Sequence, residues 1–292
     1  MDKKTKEVKY IIISPVRNEE KFIERTIHSV ISQTVQPITW VIVNDGSRDK
    51  TEDIVRTYLS EYTWIKLTNL PDRGCRKGGS GVIEAFYVGY NIIKNLNYDF
   101  IVKLDGDLSF ERDYFEKLFE KFYSNSKLGI AGGYVYDFVK NNLRPHVFPA
   151  HHVRGCVKTY RKECFEEIGG LLSTLGWDGI DEMKAQMRGW KTRSFRELRV
   201  IHYRPMGSVG GILRGRLRGA ISACKMGYHP LFMIGRCLRR MIIDKPYIIG
   251  GLVMILGFFY YKIKGIKPID DPQLISFIRE HQKKRMRFWR RS

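Results

Sequence analysis

The sequence is poor in features that bind zinc or form disulfides. Its five cysteines are odd in number and scattered, and no two form a Cys-x-x-Cys pair, which argues against a zinc knuckle and a disulfide framework. The charged N-terminus leads into a short apolar run that lacks the pattern of a cleavable signal. We therefore expect a reducing location on the cytoplasmic side.

The C-terminal third also lacks an apolar run of membrane-spanning length. Its uncharged stretch at 247–261 has only fifteen residues. As a helix it would reach about 22 Å, which is shorter than the ~30 Å hydrocarbon core of a bilayer. An interfacial or re-entrant hairpin is therefore favoured, and a single strained span is the alternative.

Acidic residues are scarce. Asp and Glu number 31 against 51 Lys and Arg, a formal net charge of +20, which is typical of proteins that meet nucleic acid, anionic membranes or phosphorylated ligands. Residues 206–292 hold 18 of the cations and only 4 acids. The net charge is therefore +14 in this segment and +6 in residues 1–205. This shift predicts a first domain at 1–205 and a basic region at 206–292.

What the sequence does have is a regular alternation of apolar runs and helical patterns. With 43% hydrophobic and 13% aromatic residues the chain can bury a core. Continuous apolar strands that alternate with helices predict an α/β fold, with a Rossmann-like, mostly parallel sheet covered by helices on both faces. The predicted strands are 8–14, 40–43, 64–67, 100–104 and 198–201.

Polar clusters follow three of these strands, where ligands of such sheets bind. The clusters are 15–20, 44–49 and 105–107. Asp105 and Asp107 offer the hard oxygen ligands that Mg²⁺ or Mn²⁺ prefers, although an ordinary Asp-Gly turn explains the pair equally well. Asp45, before Gly46, suits hydrogen bonds from a base or ribose, or simply a turn.

The loop 73–81 is rich in glycine and in cations, a composition that favours phosphate. Arg73 and Lys77 are its candidate phosphate ligands. The segment matches neither the dinucleotide fingerprint nor the P-loop, so a mobile, solvated loop is the alternative.

Two further groups carry potential chemistry. Asp178, Asp181 and Glu182 share one face of a predicted helix, where one could serve as general base or all could be acids favoured in a first turn. His202 follows a predicted strand, and a lone histidine in such a place is more often packed or at the surface than a ligand.

Jointly these motifs resemble the inverting glycosyltransferases of family 2, which have the GT-A fold. The resemblance covers about residues 8–205 and rests on motifs that follow in the expected order. The matching segments are 14–20, 43–51, 102–107, 166–171, 177–178, 189–191 and His202.

The resemblance implies a nucleotide-diphospho-sugar donor, with UDP the common nucleotide among relatives, and a divalent cofactor, Mn²⁺ or Mg²⁺. Asp107 and His202 would ligate the metal, Asp105 would face the ribose or sugar and the metal, and Asp45 would bind the base. The predicted donor-binding residues are Pro15, Arg17, Asn18, Glu19, Asp45, Gly46, Arg73, Lys77 and Asp105.

The resemblance also indicates the catalytic base. The family's Glu-Asp pair near the acceptor reads Trp177-Asp178 here, so Asp178 is the predicted base and Asp181 a less favoured substitute. The QxxRW motif of processive members has Gly189 in place of its arginine, which disfavours repeated polymerisation.

The basic region reads as amphipathic helices. Apolar residues recur there at helical spacing beside arginines such as Arg214, Arg218 and Arg236, a pattern typical of helices in a membrane interface. The tail 283–291 mixes cations with aromatics, which suits anionic headgroups. Helices that pack on the first domain are the alternative.

The sequence therefore predicts a metal-dependent inverting glycosyltransferase at the cytoplasmic face of the cell membrane. Its predicted acceptor is a lipid-linked glycan in cell-surface polysaccharide synthesis, and its predicted partner surface is an anionic membrane. The rival hypotheses are a basic α/β nucleic-acid-binding protein and a non-catalytic sugar-nucleotide binder. Because the cations lie among apolar stripes, we expect no nucleic-acid partner.

Overall fold

The computed structural model describes residues 8–75, 77–204 and 211–289. The chain divides into two compact units, one formed by residues 1–173 with 188–205 and the other by 174–187 with 206–292. The predicted first domain, 1–205, includes residues 174–187. The predicted boundary after residue 205 falls in a segment, 205–210, that lies outside the described residues.

The first unit contains nine strands and five helices within the described residues. They are β1 (Tyr10–Val16), α1 (Ile23–Ile31), β2 (Thr39–Asn44), α2 (Thr51–Tyr58), β3 (Ile65–Asn69), α3 (Ser80–Ile93), β4 (Phe100–Leu104), β5 (Leu108–Phe110), α4 (Tyr114–Tyr123), β6 (Leu128–Val139), β7 (Asn142–Pro145), β8 (Val157–Arg161), α5 (Lys162–Glu167) and β9 (Lys191–His202). The second unit contains α6 (Trp177–Met187), α7 (Gly211–Lys225), α8 (Pro230–Ile243), α9 (Ile249–Ile263) and α10 (Pro272–Trp289).

All nine strands form one sheet, in the order β3-β2-β1-β4-β8-β6-β9-β5, with β7 beside β6. The strands β1 to β4 are parallel neighbours, as predicted. Beyond β4 the sheet is mixed, because β8, β7 and β5 each pair in antiparallel fashion while β6 and β9 run parallel. The predicted α/β class is confirmed, and the mostly parallel description holds only for the first half of the sheet.

The core of the first unit lies where the continuous apolar strands meet an aromatic helix. Residues 10–13 of β1 and 40–43 of β2 are fully buried. Helix α4 repeats phenylalanine at helical spacing, and Phe119 packs with its ring centroid 4.8 Å from Tyr10 and 4.9 Å from Phe100. Each such buried side chain contributes about 1.5–3 kcal/mol, so this layer anchors the amino ends of β1 and β4 against α4.

The helices of the second unit confirm the helical pattern of the basic region. Their small core consists of Ala220, Ala223, Cys224, Met233, Cys237, Met254 and Phe258. The stretch predicted as a hairpin belongs instead to one continuous helix, α9, preceded by a short turn. Among the described residues, no helix combines the length and the apolar character needed to cross a bilayer.

Candidate active site

Parallel pairing brings the three predicted polar clusters to one edge of the sheet. Strand β1 lies between β2 and β4, with Val16 opposite Asn44 and Ile13 opposite Lys103. The loops after β1 and β2 are joined by hydrogen bonds. The Asn18 N–H donates to Ser47 Oγ, and the Asn18 side-chain oxygen accepts from the backbone N–H of residue 48.

Two arginines contact Asp45, the residue predicted to bind the nucleotide base. Arg17 donates to the Asp45 backbone oxygen, and Arg73 forms an ion pair with the Asp45 carboxylate, which is 7% exposed. Arg17 also contacts Asp72 at 2.5 Å. Hydrogen bonds from Arg17 first, then from Gly74 and Arg48, hold the pKa of Asp72 well below its usual range. Sequence reasoning missed Asp72.

Gly46 is required by this arrangement. Its φ is +65°, and a Cβ there would lie 2.5 Å from the Cα of Asp72. Only glycine fits both the dihedral angle and the space. The closely packed turn therefore fixes the position of the Asp45 carboxylate.

The basic loop is held by an acid on α3. Lys77 Nζ lies 2.6 Å from Glu84, and Arg73 Nη1 lies 3.1 Å from the same carboxylate. Arg73 and Lys77, the two predicted phosphate ligands, are thus both ion-paired to Glu84, which no sequence motif indicated. Residue 76 of this loop lies outside the described residues.

Asp105 has a buried lysine as its neighbour. Lys103, only 2% exposed, forms an ion pair with Asp105 and donates to the Gly155 carbonyl at 2.7 Å. Desolvation raises the pKa of Asp105, and the Lys103 cation opposes that rise. A Cβ at Gly106 would lie 2.8 Å from Val16 Cγ1, so glycine lets the Asp105–Asp107 segment pack directly on β1.

Asp107 and His202 lie side by side although they are far apart in the sequence. Strands β5 and β9 pair with Leu108 opposite His202, which sets Asp107 Oδ2 3.5 Å from His202 Nε2. Arg204 Nε lies 3.7 Å from the same oxygen, and Arg204 also contacts Glu19 at 2.5 Å. Arg204, missed by sequence reasoning, thereby links the loop after β1 to Asp107.

Two more residues complete a row of polar side chains behind His202. Asp137 Oδ1 lies 2.9 Å from His202 Nδ1, and Asp137 Oδ2 lies 2.7 Å from His146 Nε2. The ligand atoms of these three residues all lie within 4.8 Å of one another. Asp137 sits in an apolar, glycine-rich strand and His146 in a loop, so neither carried a motif signal.

The charges in this row are coupled. Burial disfavours the charged imidazole, but the neighbouring carboxylates of Asp107 and Asp137 outweigh it and raise the pKa of His202 to about 9. Burial alone would raise the pKa of Asp137, yet the adjacent imidazoles of His146 and His202 hold it far below its usual range. The row therefore favours an ionised Asp137 at neutral pH.

The donor set beside Asp107 fits a divalent cation. A buried carboxylate and an imidazole are ligands that Mn²⁺ accepts, and the carboxylate also suits Mg²⁺. The 3.5 Å between Asp107 Oδ2 and His202 Nε2 exceeds an ordinary hydrogen bond, as expected of two ligand atoms that can share one ion.

The two residues predicted as general base, Asp178 and Asp181, lie on α6 in the second unit. Asp178 occupies the first turn and is partly exposed, whereas Asp181 and Glu182 are 1% and 2% exposed. Asp181 Oδ1 accepts the Glu182 N–H at 2.6 Å. Because a base must reach the acceptor hydroxyl, accessibility favours Asp178 over Asp181.

The mixed sheet, with an Asp-Gly-Asp segment between β4 and β5, agrees with the predicted GT-A fold. The profile of "Glycosyl transferase family 2" matches residues 11–176, more than half of the chain, and the chain belongs to this family of glycosyltransferases.

Curated relatives agree with that assignment. The glycosyltransferase GlyA of Streptococcus pneumoniae is 26% identical over 197 residues, which cover 65% of this chain and 25% of GlyA. The uncharacterized glycosyltransferase EpsJ of Bacillus subtilis is 29% identical over 124 residues, which cover 41% of this chain and 32% of EpsJ. The matched segments thus span a quarter to a third of these relatives.

Solved structures share the fold at low identity. The mannosyltransferase PcManGT from Pyrobaculum calidifontis, in complex with GDP-Man and Mn²⁺, has a TM-score of 0.56 at 15% identity, covering 94% of this chain and 74% of PcManGT. Staphylococcus aureus TarS 1–349 in complex with UDP-GlcNAc has a TM-score of 0.51 at 14% identity, covering 88% and 73%. GalNAc-T7 with UDP, GalNAc and Mn²⁺ has a TM-score of 0.55 at 14% identity, covering 76% and 51%.

Proposed function

We propose that this glycosyltransferase moves a sugar from a nucleotide-diphospho-sugar, a UDP-sugar, to an acceptor hydroxyl with inversion at the anomeric carbon. We further propose that it requires a divalent cation, Mn²⁺ or Mg²⁺. The observation that carries the proposal is the contact of Asp107 with His202 beside Asp105, at the sheet edge that also carries the Asp45 loop.

The ligands of the structural neighbours support this choice. PcManGT was solved with GDP-Man and Mn²⁺, GalNAc-T7 with UDP and Mn²⁺, and TarS with UDP-GlcNAc. Two of these three carry a uridine nucleotide and two carry Mn²⁺. A UDP-sugar with Mn²⁺ is therefore the first combination to test.

The residues on the donor side have distinct proposed tasks. Asp45, held by Arg73 and through its backbone by Arg17, accepts hydrogen bonds from the base. Lys103 keeps Asp105 oriented toward the ribose or sugar. Asp107 and His202 would hold the cation, which when bound neutralises charge that grows on the diphosphate leaving group.

Asp178 is the proposed general base. Its carboxylate takes the proton of the acceptor hydroxyl while that oxygen bonds to the anomeric carbon, opposite the breaking bond to the diphosphate. Attack from the opposite face inverts the anomeric configuration. Asp181, buried in the same helix, is the second candidate.

A thermal-shift screen tests the donor. UDP-, GDP- and dTDP-sugars are each added with Mn²⁺, and again with EDTA. We expect UDP-sugars with Mn²⁺ to raise the melting temperature most, because only the correct nucleotide meets both the Asp45 loop and the cation site. A shift confined to GDP- or dTDP-sugars would refute the UDP assignment, and equal shifts with EDTA would refute the metal requirement.

We also propose that the basic region seats the enzyme on the cytoplasmic face of an anionic membrane, where a lipid-linked acceptor is available. Helix α9 buries one side against α7 and α8 and exposes an apolar stripe on the other. Cations border this stripe, as at Lys262 and Lys264, which suits an interfacial helix. The exposed stripe consists of Ile249, Leu252, Leu256, Tyr260 and Ile263.

Flotation with vesicles tests this surface. The double variant Leu252→Gln/Leu256→Gln removes the centre of the stripe, and Ile92→Gln, an exposed isoleucine of the first unit, is the matched control. We expect the double variant alone to lose binding to phosphatidylglycerol vesicles. Undiminished flotation of the double variant would refute the α9 surface.

A further inference from the structure

His202 is held from behind by a pair of residues to which no role has been assigned. Strands β6 and β9 run parallel with Asp137 in register with His202. The β6–β7 hairpin sets Tyr136 opposite Pro145, and the His146 N–H donates to the Val135 carbonyl at 3.0 Å. Backbone pairing therefore fixes Asp137 and His146 relative to each other and to His202.

The two oxygens of Asp137 are divided between two imidazoles. Oδ1 lies 2.9 Å from His202 Nδ1, and Oδ2 lies 2.7 Å from His146 Nε2. A carboxylate oxygen accepts a hydrogen bond from an N–H, so the contact with Asp137 Oδ1 places the proton of this bond on His202 Nδ1. The other ring nitrogen, Nε2, faces Asp107 at 3.5 Å, where it can offer its lone pair to a cation.

Asp137 also fixes the orientation of the ring. A histidine that ligates a metal usually donates its second N–H to a carboxylate, and loss of that partner typically weakens metal affinity 10–100-fold. The His146 side chain, 10% exposed, lies against the other oxygen of the Asp137 carboxylate, with Nε2 2.7 Å from Oδ2. The 2.9 Å separation between Asp137 Oδ1 and His202 Nδ1 is that of a hydrogen-bonded pair.

We propose that Asp137, backed by His146, is a positioning residue that selects the Nδ1–H form of His202 and aims Nε2 at the cation. Neither Asp137 nor His146 is itself a ligand. This inference rests on the proposed metal-dependent function, because it concerns how Asp137 holds His202, one of the two proposed metal ligands.

The test measures Mn²⁺ binding by electron paramagnetic resonance, with and without UDP. The variants are Asp137→Asn and His146→Gln, with His202→Ala as the ligand knockout. The controls are Asp113→Asn and His28→Gln, which lie outside the row; Asp113 is 40% exposed and pairs only with Lys117 among the described contacts. Melting of the metal-free proteins shows that each variant is folded.

We expect Asp137→Asn to bind Mn²⁺ 10–100-fold more weakly than wild type, and His146→Gln to lose less. Excess Mn²⁺ should restore the turnover number of Asp137→Asn, because a positioning defect raises the metal requirement rather than removing the site. Spin-echo modulation with ¹⁵N-histidine should show one coordinated imidazole in wild type and in both variants, and none in His202→Ala.

Three outcomes would overturn the inference. These are unchanged Mn²⁺ affinity in Asp137→Asn, a loss as complete as that of His202→Ala, or two coordinated imidazoles in wild type, which would make His146 a ligand. Wild-type protein that binds no Mn²⁺ even with UDP would instead refute the proposed metal-dependent function, so the two failures are distinguishable.

Discussion

At the residue scale, the side chains of the site acquire their chemical roles from the residues that they contact. His202 alone is an unremarkable histidine at a strand end. The register of β5 and β9 makes it the partner of Asp107, and β6 adds Asp137. Local sequence patterns could not show this, because the pairing depends on strands distant in the chain.

The assignment of Asp178 as general base is testable by replacing one oxygen of its carboxylate with an amide nitrogen. Asp178→Asn should lower turnover by about 10²- to 10⁴-fold, the usual contribution of a general base, while donor affinity stays unchanged. Turnover and calorimetric binding of the donor provide the measurements. Asp181→Asn is the control, and a larger loss in Asp181→Asn than in Asp178→Asn would transfer the role to Asp181.

Gly46 provides a stability prediction next to the donor site. Gly46→Ala should destabilise the protein by about 2–4 kcal/mol, because an alanine at positive φ is strained and its Cβ also meets the Asp72 backbone. Gly169→Ala has similar strain, with φ +70°, but open space around it, and should cost about 1 kcal/mol. Urea denaturation compares the two, and equal losses would contradict the steric account.

At the element scale, the sequence predicted the first half of the sheet well and the second half poorly. Strands β1, β2 and β4 are continuous apolar runs that end in polar clusters, so both the strands and the ligand edge could be inferred. Strand β6 is interrupted by glycines at 129, 132 and 133, and every residue of β7 is exposed. Neither has the pattern of a buried strand, and the residues they carry were missed.

Close packing of α8 and α9 depends on Gly251. A Cβ at this position would lie 2.7 Å from the Cys237 carbonyl oxygen. Gly251→Ala should therefore destabilise the second unit by about 1–3 kcal/mol. Gly215→Ala on α7 has open space and should be neutral or stabilise by up to about 1 kcal/mol. Thermal melting distinguishes them, and stabilisation by both changes would refute the packing.

At the scale of the whole molecule, the net charge of +20 is unevenly distributed. Most of the excess lies in the C-terminal helices, which also expose the apolar stripe of α9. The motifs predicted the family and the ligand edge of the sheet. The resemblance also predicted the pair of Asp107 and His202, but no motif indicated Asp72, Asp137 or Arg204, because their contacts arise only when distant segments fold together.

The central claim is that Asp107 and His202 hold a cation that the transfer reaction needs. The most direct measurement is release of UDP from a UDP-sugar and acceptor by wild type, Asp107→Asn and His202→Ala, with EDTA and after Mn²⁺ is restored. We predict that wild-type activity disappears with EDTA and returns with Mn²⁺, while both variants stay at least about 100-fold slower. Full wild-type activity in EDTA, or variants as fast as wild type, would contradict the account.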